Sequence, residues 1–131
     1  MTNKILVGVY GSLKTGESNN GLLIGSELVG TGTTVNSSYD LLDFGGYPGA
    51  IPGSNKLRVE VWSIDDKTLT RLDRLESHPH FYKREEIPIE MDTNKILLAS
   101  VYLLTKPDSP SYSSLNKVEA IDSVVTWRKY A

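Results

Sequence analysis

The segment Leu57-Arg58-Val59-Glu60-Val61-Trp62-Ser63-Ile64-Asp65-Asp66-Lys67-Thr68-Leu69-Thr70-Arg71-Leu72-Asp73-Arg74-Leu75-Glu76 changes its period once, and that change sets the fold class. Up to Ile64 apolar and polar side chains alternate, with Leu57, Val59, Val61 and Ser63 on one face, the pattern of a half-buried strand. After Asp65-Asp66 the apolar residues Leu69, Leu72 and Leu75 recur at three-residue spacing, which makes a single stripe on a helix. The two aspartates suit an N-cap and first turn, because a carboxylate there accepts unpaired backbone N–H groups and faces the positive end of the helix dipole. Pro79 is expected to stop the helix.

On both sides of this segment Val, Ile, Leu and Tyr gather in short runs bounded by Gly, Pro, Asn, Asp and Ser, as strands between turns do. Toward the N-terminus these runs are Ile5 to Tyr10, Glu27 to Val35 and Ser38 to Phe44. A polar loop holding Gly11, Gly16, Asn19, Asn20 and Gly21 follows the first, and Gly45-Gly46-Tyr47-Pro48-Gly49 reads as a turn-rich excursion after the third. Toward the C-terminus, Phe81 to Met91 and Ile96 to Thr105 form a hairpin turning at Asp92-Thr93-Asn94-Lys95. The proline-rich stretch from Lys106 to Ser114 then leads to an expected short C-terminal helix. Strands predominate around one main central helix, so the expected class is α+β with a mixed, strongly curved or barrel-like β-sheet.

The chain has 131 residues, a length at which one domain buries a core without staples, and residues 1–131 are read as a single domain. It has no cysteine, which excludes disulfides, thiolate nucleophiles and cysteine-based zinc or iron–sulfur sites. Its 14 basic and 16 acidic residues give a formal charge of −2 without any long run of like charge, so no nucleic-acid partner is expected. The apolar stretches around Ile5 to Tyr10 and Ile96 to Leu104 are far too short to cross a bilayer, and Met1-Thr2-Asn3-Lys4 runs into a strand without a cleavage-type signal. The expectation is a soluble, cytoplasmic protein with no membrane partner.

Two places in this frame can carry chemistry. Gly11-Ser12-Leu13-Lys14-Thr15-Gly16-Glu17-Ser18 comes within one residue of a P-loop, but that loop needs lysine where Glu17 stands, and a carboxylate would repel the phosphates. The same turn can hold a weaker anion, since successive backbone N–H groups around a glycine converge on a carboxylate; the plainer alternative is that Gly11-Ser12 only turns the chain. Glu76 closes the helix near the negative end of its dipole, where a carboxylate resists ionisation. Water exclusion by Leu75 and Phe81 would act in the same direction and make it a stronger base. On the residues alone, a surface carboxylate paired with Arg74 or Arg84 is the competing account. Glu60, on the face opposite Val59 and Val61, either points to solvent or lends the site a hydrogen bond. His78 and His80 supply at most two metal ligands and no third partner, so no metal site is expected. Gly11-Ser12 lacks the glycine-x-serine-x-glycine elbow of a serine hydrolase, and Trp62, Tyr102 and Trp127 read as packing aromatics.

Val9-Tyr10-Gly11-Ser12-Leu13-Lys14, directly after the N-terminal strand, resembles the tyrosine-glycine-serine/threonine-leucine signature of the γ-glutamyl cyclotransferase superfamily, in particular its γ-glutamylamine cyclotransferase and AIG2-like branch. Val59-Glu60-Val61-Trp62, Leu72-Asp73-Arg74-Leu75-Glu76, Phe81-Tyr82-Lys83-Arg84 and Ala99-Ser100-Val101-Tyr102 follow in the family's order, so the resemblance spans most of the chain. It implies that Tyr10, Gly11, Ser12 and Leu13 bind the γ-glutamyl group of a small-molecule substrate, that Glu76 is the proton acceptor, and that no cofactor takes part. Tyr82 is expected on the pocket wall. Ser109-Pro110-Ser111-Tyr112 is similar to a serine-proline-x-tyrosine stretch of the glutathione-related branch, and Tyr112 is carried over from it as a substrate contact.

The activity implied is cyclisation of a γ-glutamyl amine or peptide to 5-oxoproline with release of the amine. Such a substrate carries its own nucleophile, its α-amine, so the protein needs only to fold it and move a proton. The sequence departs from the family at Val59, where glycine is usual, at Ser77-His78-Pro79-His80, which replaces a glycine-containing link, and at Val125-Thr126-Trp127. The Val59 departure affects packing more than chemistry, whereas those at Ser77 to His80 and Val125 to Trp127 keep a second reading open, a non-catalytic binding or interaction module that retains the fold.

Overall fold

The computed structural model describes residues 4–127. In these the chain forms β1 (Ile5–Val9), β2 (Glu27–Thr34), β3 (Tyr39–Asp43), β4 (Pro48–Pro52), β5 (Lys56–Ile64), α1 (Asp66–Leu75), β6 (Tyr82–Met91), β7 (Ile96–Leu104) and β8 (Val124–Val125). The alternation read in β5 is realised: Leu57, Val59 and Val61 are each 1% exposed or less. β5 pairs antiparallel with β1 on one side and with β2 on the other. From β2 the ladder continues to β6 and then to β7 through the long β6–β7 hairpin. β7 returns to β1 in parallel, Val7 opposite Ser100 and Gly8 opposite Val101, and this closes a five-stranded mixed barrel. Closure removes the open edges that a flat sheet of these strands would leave. The β3–β4 hairpin and β8 are appended to β7 and β5.

A barrel of five strands is narrow inside. Leu57, Val59, Val61, Ile87, Ile89, Ala99 and Val101 fill it, and Gly8 faces them because there is no room for more: a Cβ there would stand 3.1 Å from Cγ2 of Val101. A second apolar layer, with Val7, Val9, Ile64, Leu72, Tyr102 and Leu104, forms against α1. Fully burying a leucine such as Leu72 contributes on the order of 1.5–3 kcal/mol.

Helix α1 starts as read, with Asp65 as N-cap accepting the Thr68 N–H at 2.8 Å. Its buried stripe is Thr68 and Leu72 with Leu69 alongside, whereas Leu75, at 39% exposure, is left at the surface end. It ends before Pro79 has any influence. Ser77 takes a left-handed conformation (φ 52°), its N–H donates to Arg74 O at 3.2 Å, and His78 N–H donates to Asp73 O at 2.9 Å. That is a Schellman closure with serine in the place glycine usually takes.

Two expected features are corrected. The Gly45 to Gly49 stretch is only partly a turn, because Pro48-Gly49 already belongs to β4. Proline and glycine disguised that strand, yet Ala50 is fully buried, and Gly49 is required because a Cβ there would come 2.5 Å from Leu104. In place of the short C-terminal helix, the described residues hold a three-residue 3-10 turn at Pro110–Tyr112 and then the short strand β8. Pro107 and Pro110, between Lys106 and Ser114, oppose helix propagation there. Residues 1–3 and 128–131, including most of the Met1-Thr2-Asn3-Lys4 start, lie outside the described residues. No helix among the described residues is long and apolar enough to cross a membrane.

Candidate active site

The outer edge of β7 is shared. Ser100 and Val101 pair with β1, Leu103 pairs with β4, and the two neighbours part at Tyr102. Tyr10, the first residue beyond β1, fills the fork with its side chain: its hydroxyl donates to Tyr102 O at 2.6 Å and accepts the Ala50 N–H at 3.0 Å. In front of this fork opens a cavity of about 350 Å³. Its walls come from the end of β1 and the following loop, from Gly46-Tyr47-Pro48, from Leu75-Glu76-Ser77 at the end of α1, and from Phe81, Tyr82 and Tyr102.

The loop after β1 is held open from behind. Lys14 N–H donates to Gly11 O (3.1 Å), Asn19 N–H to Ser12 O (2.8 Å), and Asn20 Nδ2 to Leu13 O (2.9 Å). The three carbonyls are thus engaged by the loop itself, while the N–H groups of Gly11, Ser12 and Leu13 find no acceptor among the described residues. Ser12 Oγ accepts from Asn19 Nδ2 at 3.0 Å, which leaves its own proton to give. Glu60 completes the fixing: its Oε1 accepts from Thr15 N at 2.9 Å, from Thr15 Oγ1 at 3.2 Å and from Trp62 Nε1 at 3.2 Å. Gly11 packs on Pro48 so closely that a Cβ would lie 2.8 Å from the proline ring. A row of free N–H groups in a concave wall is an anion cradle.

Glu76, the C-cap of α1, lines the same cavity. Among the described residues no cation pairs with it, since Arg84 is taken by Asp73, through Nε–Oδ1 at 2.6 Å and Nη2–Oδ2 at 2.8 Å. Burial pushes the Glu76 carboxyl up from 4.5 to about 7. Burial also raises the hydroxyls of Tyr10, Tyr82 and Tyr102, and the nearby Glu76 charge adds to each. An unpaired carboxylate in a largely aromatic wall, half ionised near neutrality, can take up a proton and return it.

The structure therefore brings Tyr10, Gly11, Ser12, Leu13, Glu76 and Tyr82 to one cavity. The hydroxyls of Tyr10 and Tyr82 are spent on backbone carbonyls, that of Tyr82 on Pro48 O at 2.6 Å, so both residues offer their rings. Tyr112 is not among the residues that line the cavity: it packs edge-on against Phe44, with ring centroids 5.1 Å apart, next to the cluster that holds Tyr82. Two contributors escaped the sequence reading: Tyr102 looked like core and Tyr47 like a turn residue. Of the two alternatives for Glu60, the supporting hydrogen bond is the one realised, through the loop that folds over it. His78 is a structural acceptor, its Nδ1 receiving the Arg84 N–H at 3.2 Å.

The sequence profile of the family described as "Gamma-glutamyl cyclotransferase, AIG2-like" matches residues 7–124. A Vibrio cholerae protein carrying the γ-glutamylcyclotransferase name is 42% identical over 88 residues, 67% of this chain and 76% of its own length. The Escherichia coli γ-glutamylcyclotransferase family protein YtfP is 38% identical over 79 residues, 60% of this chain and 68% of its own. In fold, an AIG2-like protein of Mus musculus superposes with a TM-score of 0.77 at 23% identity, covering 92% of this chain and 89% of its own. The match of the family profile to nearly the whole barrel places the chain in the γ-glutamyl cyclotransferase, AIG2-like family.

Proposed function

We propose that the protein cyclises a γ-glutamyl amine to 5-oxoproline and the free amine, with Glu76 as base and then acid. The observation that carries this reading is that an unpaired, half-buried carboxylate and three unengaged backbone N–H groups line one cavity. The N–H groups of Gly11 to Leu13 and the Ser12 hydroxyl hold the glutamyl carboxylate or its polarised γ-carbonyl. The α-amine nitrogen attacks the γ-carbonyl carbon, forming the ring C–N bond while the carbonyl pair moves to oxygen. As that pair returns, the bond to the departing nitrogen breaks. Glu76 removes one proton from the attacking nitrogen and delivers it to the leaving one, so protons balance without a cofactor. Attack within one molecule can contribute roughly 7–11 kcal/mol when the geometry is held. Among the described residues Glu76 is the only charged one lining the cavity, and the lack of a described cation there for a leaving group's own carboxylate supports an amine over a peptide. The absence of cysteine supports reading the protein as cytoplasmic.

The test is incubation with a panel of γ-glutamyl amines, amino acids and peptides, reading 5-oxoproline and free amine together. Amine derivatives are expected to turn over, and Glu76→Gln is expected to lower the rate by about 10²–10⁴-fold. Absence of product from every substrate sinks the proposal; an undiminished rate in Glu76→Gln sinks the mechanism.

A further inference from the structure

We infer that Asp73 and Arg84, held together beside the base, cancel each other's charge at Glu76 and so leave its protonation to its surroundings in the cavity, both acting as positioning residues. The inference takes its catalytic meaning from the reading of Glu76 as base. Asp73 precedes Glu76 by three residues on α1, so the two carboxylates share a helix face with Cβ atoms roughly 5–6 Å apart. Arg84, on β6, grips Asp73 with two bonds, and the Tyr102 hydroxyl of β7 donates to Asp73 Oδ1 at 2.6 Å. The Tyr102 ring is part of the Glu76 cavity wall, and its hydroxyl, raised mainly by burial, is raised further by Asp73 and by Glu76, so both carboxylates lie close to it. Through its backbone N–H to His78 Nδ1, Arg84 also ties down the turn that follows Glu76.

Charge balance makes this arrangement more than a clamp. Asp73 alone would be a like charge beside Glu76 and would hold it protonated; Arg84 alone would draw it into ionisation. Burial opposes ionisation of Asp73, but the Arg84 and Tyr102 hydrogen bonds outweigh it and hold Asp73 below the usual carboxylate range. The pair is therefore fully charged and nearly neutral in sum, which agrees with burial being what raises Glu76. Among the described residues that line the cavity with Glu76, the other titratable side chains are tyrosines: Tyr10 from the end of β1, Tyr82 from β6, Tyr102 from β7 and Tyr47 from the rim. Arg74 on the same helix is exposed, where water and salt screen it, and His78 in the next turn is bound to Arg84 N–H through Nδ1.

The experiment is a ¹³C NMR titration of the glutamate side-chain carboxyls in the full chain without substrate, with Glu76→Gln assigning the Glu76 signal. Asp73→Asn leaves Arg84 unopposed and is expected to lower the Glu76 midpoint by roughly one pH unit; Arg84→Met is expected to raise it by a similar amount. The double variant carries neither charge and is expected to return to within about 0.3 unit of the wild type. Tyr102→Phe removes a hydrogen bond but no charge, and should leave the midpoint equally close. Midpoints unmoved in the charge variants, or moved as far by Tyr102→Phe, overturn the inference; should one single variant fail to fold, the other single and the double decide. No substrate enters the titration, so absence of turnover would refute the proposed reaction without touching this result.

Discussion

At the scale of one residue, Glu76 combines two properties that surface carboxylates do not share: it has no cationic partner among the described residues, and burial raises it from 4.5 to about 7. A raised carboxyl binds its proton more tightly folded than unfolded. Folding is therefore favoured below pH 4.5, and that contribution is lost as pH rises through about 7. Glu76→Gln has nothing to ionise, so it should match the wild type at pH 4 and exceed it at pH 8 by about 1–3 kcal/mol, several degrees in melting temperature. Thermal melts at the two pH values check this; equal melting at pH 8 would show that Glu76 ionises in the fold without penalty. The position of Glu76 at the end of a helix was legible in the sequence, because capping residues and leucine spacing are local signals. Its freedom from Arg84 was not, since that depends on Asp73, one turn earlier, capturing the guanidinium first. Tyr112 shows the same limit, as a short motif does not say which aromatic neighbour, here Phe44, will claim the ring.

At the scale of elements, the loop after β1 and the end of α1 are each locked by contacts that periodicity cannot reveal. β5, the β6–β7 hairpin and the start of α1 followed from alternation, turn residues and an N-cap. Strand β4 did not, because its burial rather than its residue types makes it a strand. Glu60 is the clearest case: its alternation places it outside the barrel, correctly, and the loop then covers it. Glu60→Ala removes the acceptor of the Thr15 N–H and should let the loop breathe, with faster hydrogen exchange at Thr15 and a KM raised about tenfold, equivalent to ~1.4 kcal/mol. Because Glu60 touches neither Glu76 nor the cradle N–H groups, kcat should change much less. A fall confined to kcat would assign Glu60 a different role.

At the scale of the whole molecule, closure of the barrel rests on β1 meeting β7, strands about ninety residues apart, and no local pattern encodes that pairing. The sequence carried the curved sheet only as a class; the fork at Tyr102, which makes the cavity, belongs to the closed form alone. β4 meets β7 at a single register pair, Ala50 with Leu103, and the next rung is supplied by the phenol of Tyr10. Tyr10 thus serves as the last stitch of the sheet and lines the cavity immediately before the cradle N–H groups of Gly11 to Leu13. Opening of the sheet at that stitch and release of a molecule from the cradle are consequently linked equilibria, each obliged to affect the other by the same factor. A cradle ligand should slow solvent exchange of the Ala50 amide, and Tyr10→Phe should abolish that protection while weakening the ligand. The Ala50 amide, which touches no substrate, thereby becomes an internal gauge of occupancy.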